Sequence, residues 1–258
     1  MILKIDVHLH YRVSEPTDLL LQIEAAQLPE QKIQRSQTDF SDASNIARVP
    51  ADDGVGERLW LRADGNLRCD YSTTIEIARP SRDLVKIPST PPHLLPGDAV
   101  RYLMPSRYCP SDEFQTFVAA EFGHLSGGAQ IAAIRDWINA AFSYVPGVSN
   151  PQTTALDSFV QRQGICRDYA HVMVTLARAA MIPARFASVY APGVTPPDFH
   201  AVAEVYLDGS WHLVDPTDMA GPDSIAVIGV GADAANVAFL NIFGRADFVA
   251  QNVSVSAV

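Results

Sequence analysis

With 258 residues, 48% of them hydrophobic and 19% charged, the chain can bury a sizeable core as one large domain or two small ones. A formal net charge of −10 with no run of Lys or Arg argues against a broad nucleic-acid interface. No apolar run approaches the roughly 18 residues that span a bilayer, and Cys69, Cys109 and Cys166 show no C-x-x-C spacing, which disfavours a disulfide framework or a structural zinc site.

The chain alternates in polarity from its first residues. Leu3, Ile5, Val7, Leu9, Tyr11 and Val13 point one way, and Lys4, Asp6, His8, His10 and Arg12 the other, which predicts a half-buried strand. An alternating start has no uninterrupted apolar core of a signal peptide, so a cytoplasmic location is expected. Runs 17–25, 32–38, 57–63 and 67–79 also read as extended. The clusters Asp52-Asp53-Gly54 and Asp64-Gly65-Asn66 read as turns. Residues 1–110 are therefore expected to form an all-β, sandwich-like domain that buries its own apolar face. It closes with a junction dense in proline (Pro80, Pro88, Pro91, Pro92, Pro96, Pro105, Pro110).

Beyond residue 110 the period changes. Ser126 can cap a helix in which Ile131, Ile134, Ile138 and Phe142 recur at helical spacing. Thr154-Ala155-Leu156-Asp157 is a capping-box pattern with Asp in the Glu/Gln position. A further helix carries Cys166, Tyr169, Ala170, Met173, Leu176 and Ala177 along one stripe and stops at Pro183. Strand-like segments then occupy 184–190, 199–207, 211–215, 224–230 and 247–256. Helices followed by hairpin-spaced strands predict that residues 111–258 form an α+β domain on an antiparallel sheet.

Chemistry concentrates on three residues. Cys166 opens its helix, where the backbone dipole and free N–H groups favour a thiolate. The segments 200–207 and 210–216 flank Asp208-Gly209, a two-residue turn signal. With that loop Val202 faces Asp215, which makes Asp215 a diagonal neighbour of His200 on one face, at about 7–8 Å between backbones. A cysteine, a histidine and an aspartate in this order suit a nucleophile, its base and the group that orients the base. The backbone N–H of Cys166 is a natural oxyanion donor, and Gln163, Trp137 and Tyr144 are equal candidates for a second. Asp168 and His171 lie about 200° and 140° around the helix from Cys166 and are read as structural.

The segments Gly164-Ile165-Cys166-Arg167-Asp168-Tyr169-Ala170-His171, Ile182-Pro183-Ala184-Arg185-Phe186, His200-Ala201-Val202-Ala203-Glu204-Val205 and Trp211-His212-Leu213-Val214-Asp215-Pro216-Thr217 together resemble the bacterial transglutaminase-like superfamily. The resemblance covers roughly residues 125–245. It implies a papain-like α+β core and a catalytic Cys166–His200–Asp215 triad, and the β-rich start is similar to the N-terminal region of bacterial members. Two positions depart from the family pattern. Val202 stands where many relatives have Trp, and residues 229–237 stand where they typically read Gly-Arg-Asp-Tyr-x-Asp-Val.

The expected function is cysteine-dependent acyl transfer on amide bonds of a protein or peptide through a thioester on Cys166. Hydrolysis is favoured because Val202 in place of Trp removes one hydrophobic wall, with transamidation as the alternative and a non-catalytic binding module as a third reading. Which reaction follows depends on how well the pocket excludes water. Without a Gly-rich phosphate loop or EF-hand spacing, no cofactor is expected. His8 and His10 could form a zinc pair on one strand face, but Lys4 and Arg12 share that face, and a solvated strand is the preferred reading.

Overall fold

The computed structural model describes residues 1–258. Three long strands, β1 (Ile2–Leu21), β2 (Gln31–Pro50) and β3 (Glu57–Ile77), form most of an antiparallel sheet. The alternation seen in the sequence is realised: Leu3, Ile5, Val7, Leu9, Tyr11 and Val13 are buried, and their neighbours are not. Asp64-Gly65-Asn66 does not turn the chain. β3 runs on through it, and residues 64–67 bulge against β2 between Ser41 and Ala43, while β1 shifts register between Val13 and Thr17. A short polar cluster inside a strand can be a bulge as well as a turn, and only a partner strand decides which.

Residues 78–110 form short turns around α1 (Gly97–Val100), after which the helical half begins. It comprises α2 (Gln115–Phe122), α3 (Gly127–Ala141), the two-residue β4 (Ser143–Tyr144), α4 (Ala155–Gln161), the two-residue β5 (Gln163–Gly164) and α5 (Cys166–Ala179). Ser126 occupies the N-cap position of α3, but its side chain makes no capping hydrogen bond. Thr154 and Asp157 make the reciprocal capping box of α4: Asp157 N–H donates to Thr154 Oγ1 (3.3 Å) and Thr154 N–H to Asp157 Oδ2 (2.8 Å). A four-stranded antiparallel sheet follows, built from β6 (Ala184–Tyr190), β7 (His200–Leu207), β8 (Ser210–Val214) and β9 (Ala226–Gly231) in the order β8-β7-β6-β9. The α5 helix lies on this sheet, with Tyr169, Val172, Met173 and Leu176 in one apolar cluster with Ala203, Val205 and Leu207 of β7. The molecule is thus α+β on antiparallel sheets.

The chain does not divide cleanly at residue 110. β10 (Leu240–Phe243) and β11 (Asp247–Ala257) leave the helical half and pair with β1, so the first sheet has five strands, two of them from the C-terminal end. Segment 247–256 is a strand, as its alternation predicts, but its partner is β1 and not the second sheet. Alternation reports that one face is buried without naming the neighbour.

The two sheets are also firmly docked. Tyr190, Ala226 and Ile228 of β6 and β9 belong to the same apolar cluster as the inner face of β1 and β3. The Gln31 amide donates to Ala26 O (2.7 Å) and Val227 O (2.8 Å) and accepts from Val227 N–H (2.7 Å). Asp53 ties both later parts of the chain to the first sheet: it pairs with Arg185 (2.7 Å) of the second half and, in the proline-dense stretch, with Arg101 and the Tyr102 hydroxyl, which donates to it (2.6 Å). The first sheet therefore buries its apolar face partly against the second half rather than only against itself. The proline-dense stretch is likewise packed, with Tyr102, Tyr108 and Cys109 buried.

Candidate active site

Cys166 is the first residue of α5, and the turn that presents it is tightly built. Asp168 Oδ2 accepts the backbone N–H of Ile165 (2.9 Å), which satisfies one orphan donor at the helix start. Ile165 has no side-chain acceptor, so only the carboxylate half of a capping box exists. Arg167 lies over the outer oxygen of Asp168 (2.9 Å) and also donates to Asn150 O (3.0 Å). Gly164 is required by contact: a Cβ there would lie 2.6 Å from the Asp168 Cβ. Asp168 thus holds the backbone that carries Cys166 and is fully buried, which fits the structural role its helical angle suggested. Of the three free thiols, Cys69 and Cys109 are buried and Cys166 is partly exposed.

His200 and Asp215 meet as the hairpin register requires. Leu207 faces Ser210 and Tyr206 faces Trp211, with Asp208 and Gly209 both in left-handed conformation (φ 49° and 74°). His200 Nε2–H donates to Asp215 Oδ2 at 2.9 Å, with both side chains buried. Asp215 is held by three further donors: Thr217 N–H (2.9 Å), the Thr217 hydroxyl (2.7 Å) and Ala220 N–H (3.0 Å). Burial alone would raise the Asp215 pKa, but His200 and Thr217 outweigh it and hold the carboxyl below its ordinary value.

The other ring nitrogen, Nδ1, is buried without a hydrogen-bond partner, and Cys166 adjoins the ring. Burial pushes the His200 pKa down, whereas the Asp215 hydrogen bond and the adjoining sulfur push it up further, to about 9. An imidazole that keeps its proton beside a sulfur is the electrostatic partner a thiolate needs.

Of the three candidates for a second oxyanion donor, Trp137 is drawn away into packing, whereas Gln163 and Tyr144 lie in one two-stranded pair. Trp137 sits in an aromatic cluster with Phe117, Phe122, Phe142 and Phe159, with the Arg162 guanidinium over its ring. Gln163 lies in β5, its backbone paired with Ser143. Tyr144 comes to the nucleophile, close enough for Cys166 to act on its hydroxyl. Burial, and then the Cys166 charge, raise the Tyr144 pKa, so the phenol stays protonated. The pairing of β4 with β5, two residues each, brings Tyr144 there, and no periodicity in the sequence signals so short a bridge.

His171 is remote from this chemistry. Its ring stacks on Tyr108 (centroids 5.0 Å apart) and its Nε2 accepts Ala234 N–H (3.2 Å). Burial lowers its pKa to about 3, which keeps the ring neutral. The departure at 229–237 serves packing: Asp233 is buried and accepts Tyr108 N–H (2.9 Å), and Val237 clusters with Ala170, Phe186 and Ala201. Val202 is fully buried in a cluster with Val189, Leu213 and Val230, so it offers no exposed wall to a substrate. On the outer face of the first sheet, His8 Nδ1 bonds Asp70 Oδ1 at 2.6 Å, and no three His, Cys, Asp or Glu residues converge as a metal site would require.

Residues 117–216 match the Transglutaminase-like superfamily. The crystal structure of a candidate cysteine protease from Cytophaga hutchinsonii is 32% identical, aligns over 99% of this chain and 90% of its own, and superposes with a TM-score of 0.94. The periplasmic domain of TgpA from Pseudomonas aeruginosa bound to ethylmercury is 22% identical over 83% of this chain and 77% of its own, with a TM-score of 0.43. An uncharacterized protein of Mycobacterium leprae (strain TN) is 28% identical over 146 residues. The matched region spans about half of that protein's length, 52%.

Proposed function

Since the chain belongs to the transglutaminase-like superfamily and has the make-up of a cysteine-dependent enzyme, we propose that it hydrolyses amide bonds of a protein or peptide through a thioester on Cys166. The carrying observation is the divided imidazole of His200, with Nε2 bound to Asp215 and Nδ1 unpartnered in a ring that Cys166 adjoins. In this reading the Cys166 thiolate attacks the carbonyl carbon, and the carbonyl electron pair moves to oxygen beside the Cys166 N–H. The Tyr144 hydroxyl adjoins that N–H and is the second donor. Collapse of the adduct expels the amine, which takes its proton from His200. Neutral His200 then accepts a proton from water as the hydroxyl attacks the thioester, and sulfur leaves as thiolate to restore the starting state. Asp215 keeps the imidazole in the tautomer and orientation that both steps require.

Hydrolysis is favoured over transamidation because the relative that aligns over nearly the whole chain is described as a candidate cysteine protease. The loss of Trp at Val202 carries no weight in this choice, since Val202 is fully buried and touches no open pocket. Peptide and glutamine-containing substrates, incubated with and without a primary amine and read by mass spectrometry, test the assignment. Cleavage that depends on Cys166 and gains no amine is expected. Stoichiometric amine incorporation would favour transamidation, and the absence of any Cys166-dependent product would reject acyl transfer.

A further inference from the structure

We propose that the open edge of β11 docks an extended, basic polypeptide as an added strand and guides it to Cys166; only its description as substrate rests on the hydrolase reading. The first sheet has two edges, and they are built differently. β2 is a guarded edge: its pairing shifts register at Ile33/Arg35, Ser41/Ala43 and Ser44/Ala47, and it carries Lys32, Arg35, Asp39, Asp42 and Arg48. Such breaks and charges keep foreign strands away. β11 is less guarded, with a single register shift, at Val249 near its start. Its only charged residue is Asp247 at the start, and it pairs with β1 in unbroken register from Ala250 to Ala257.

Hydrogen-bond parity shows which groups are free. Ile77 N–H donates to Met1 O and Val258 N–H to Ile2 O, so odd residues of β1 bond β3 and even residues bond β11. On β11 the even residues are therefore engaged. Gln251, Val253, Val255 and Ala257 present their N–H and C=O groups outward, and β11 pairs with no strand on that side.

This edge connects with the active site. Gln251 Nε2 donates to Asp198 Oδ1 (2.5 Å), and Asp198 lies two residues before His200. Phe248, 63% exposed with its ring edge against Tyr11, and Val249 offer apolar footholds beside it. The same contact indicates the partner's charge. Asp198 accepts from Phe199 N–H (2.7 Å) and Gln251, has no cationic partner, and has its pKa raised by desolvation. A Lys or Arg side chain on the incoming strand would supply that partner, and the net charge of −10 would draw such a chain in. Main-chain pairing gives affinity with little demand on sequence, and Asp198 adds the preference.

Binding of a fluorescent lysine-containing peptide to full-length Cys166→Ala protein, read by anisotropy, tests docking without turnover. Methylating the peptide's backbone nitrogens one at a time should weaken binding roughly tenfold at alternate residues only, because every second N–H faces an edge. Val253→Pro with Val255→Pro should weaken it similarly, and Asp198→Asn should erase the preference for a lysine peptide over its glutamate counterpart. A methylation scan without a two-residue period, or undiminished affinity in the proline variant, overturns the proposal. So does an unsubstituted protein that sediments as a dimer and becomes monomeric with the prolines, since the edge would then belong to a second copy. Docking lost while Cys166-dependent cleavage persists rejects this inference alone; docking intact without cleavage rejects the hydrolase reading alone.

Discussion

Cys69 and Cys109 have their pKa values pushed by burial to about 12 and about 11, so neither offers an accessible thiolate near neutrality. Iodoacetamide at mildly acid pH, followed by peptide mapping, should therefore modify Cys166 first, and earlier labelling of either other thiol would contradict the site. His200 sets the alkaline limit. A folded imidazole that holds its proton to about 9, against 6.5 when unperturbed, can protonate the leaving amine until the pH rises through about 9, where kcat/KM should fall. The sign for stability follows from the same shift: the contribution of the protonated pair is complete below about pH 6.5 and is lost as pH rises through about 9. Cys166→Ala removes the sulfur that helps raise this pKa, so histidine NMR should show His200 titrating lower in that variant. Asp215→Asn should reduce the rate and leave some activity, because nucleophile and base remain while the imidazole loses its anionic partner.

At the scale of elements, the start of α5 is held by contacts that a methyl group would upset. Gly164→Ala places a Cβ 2.6 Å from the Asp168 side chain, so either the cap or the turn must shift. A loss of about 1–3 kcal/mol in denaturant unfolding is expected from such overpacking, together with a lower rate of Cys166 alkylation. A stable variant with unchanged reactivity would show that the Asp168 cap does not position the nucleophile. The Asp53 cluster is the comparable anchor between the sheets. Asp53→Ala leaves Arg185 with Glu204 (2.6 Å) but removes the link to Arg101 and Tyr102. A cost of about 1–3 kcal/mol is expected, short of the full penalty for stranding a buried charge.

For the whole molecule, the return of β10 and β11 to β1 makes the first sheet depend on the C-terminal end of the chain. Residues 1–110 alone would lack these strands and the cover of Tyr190, Ala226 and Ile228, which exposes an apolar face and the β1 edge. That fragment is expected to aggregate or remain unfolded by circular dichroism and size-exclusion chromatography. A soluble, cooperatively melting fragment would show that the sheet folds without its C-terminal strands. The same closure sets the open edge of β11 beside the loop that leads to His200, so one topological feature links folding to access.

The sequence by itself determined what depends on neighbours a few residues apart. The period of β1, the capping box at Thr154, the start of α5 and the parity that aligns His200 with Asp215 are all local, and the Asp208-Gly209 turn converts strand parity into the register that brings base and carboxylate together. What stayed hidden depends on contacts between distant segments. Asp64-Gly65-Asn66 became a bulge because β1 continued beside it, and segment 247–256 joined the first sheet because β1 had an open edge. The pairing of β4 with β5 set Tyr144 beside the start of α5, whereas Trp137 went into an aromatic cluster. Side-chain alternation encodes that a face is buried, and helix caps encode where a turn begins. Neither encodes which remote surface completes the burial, and that choice was left to tertiary packing.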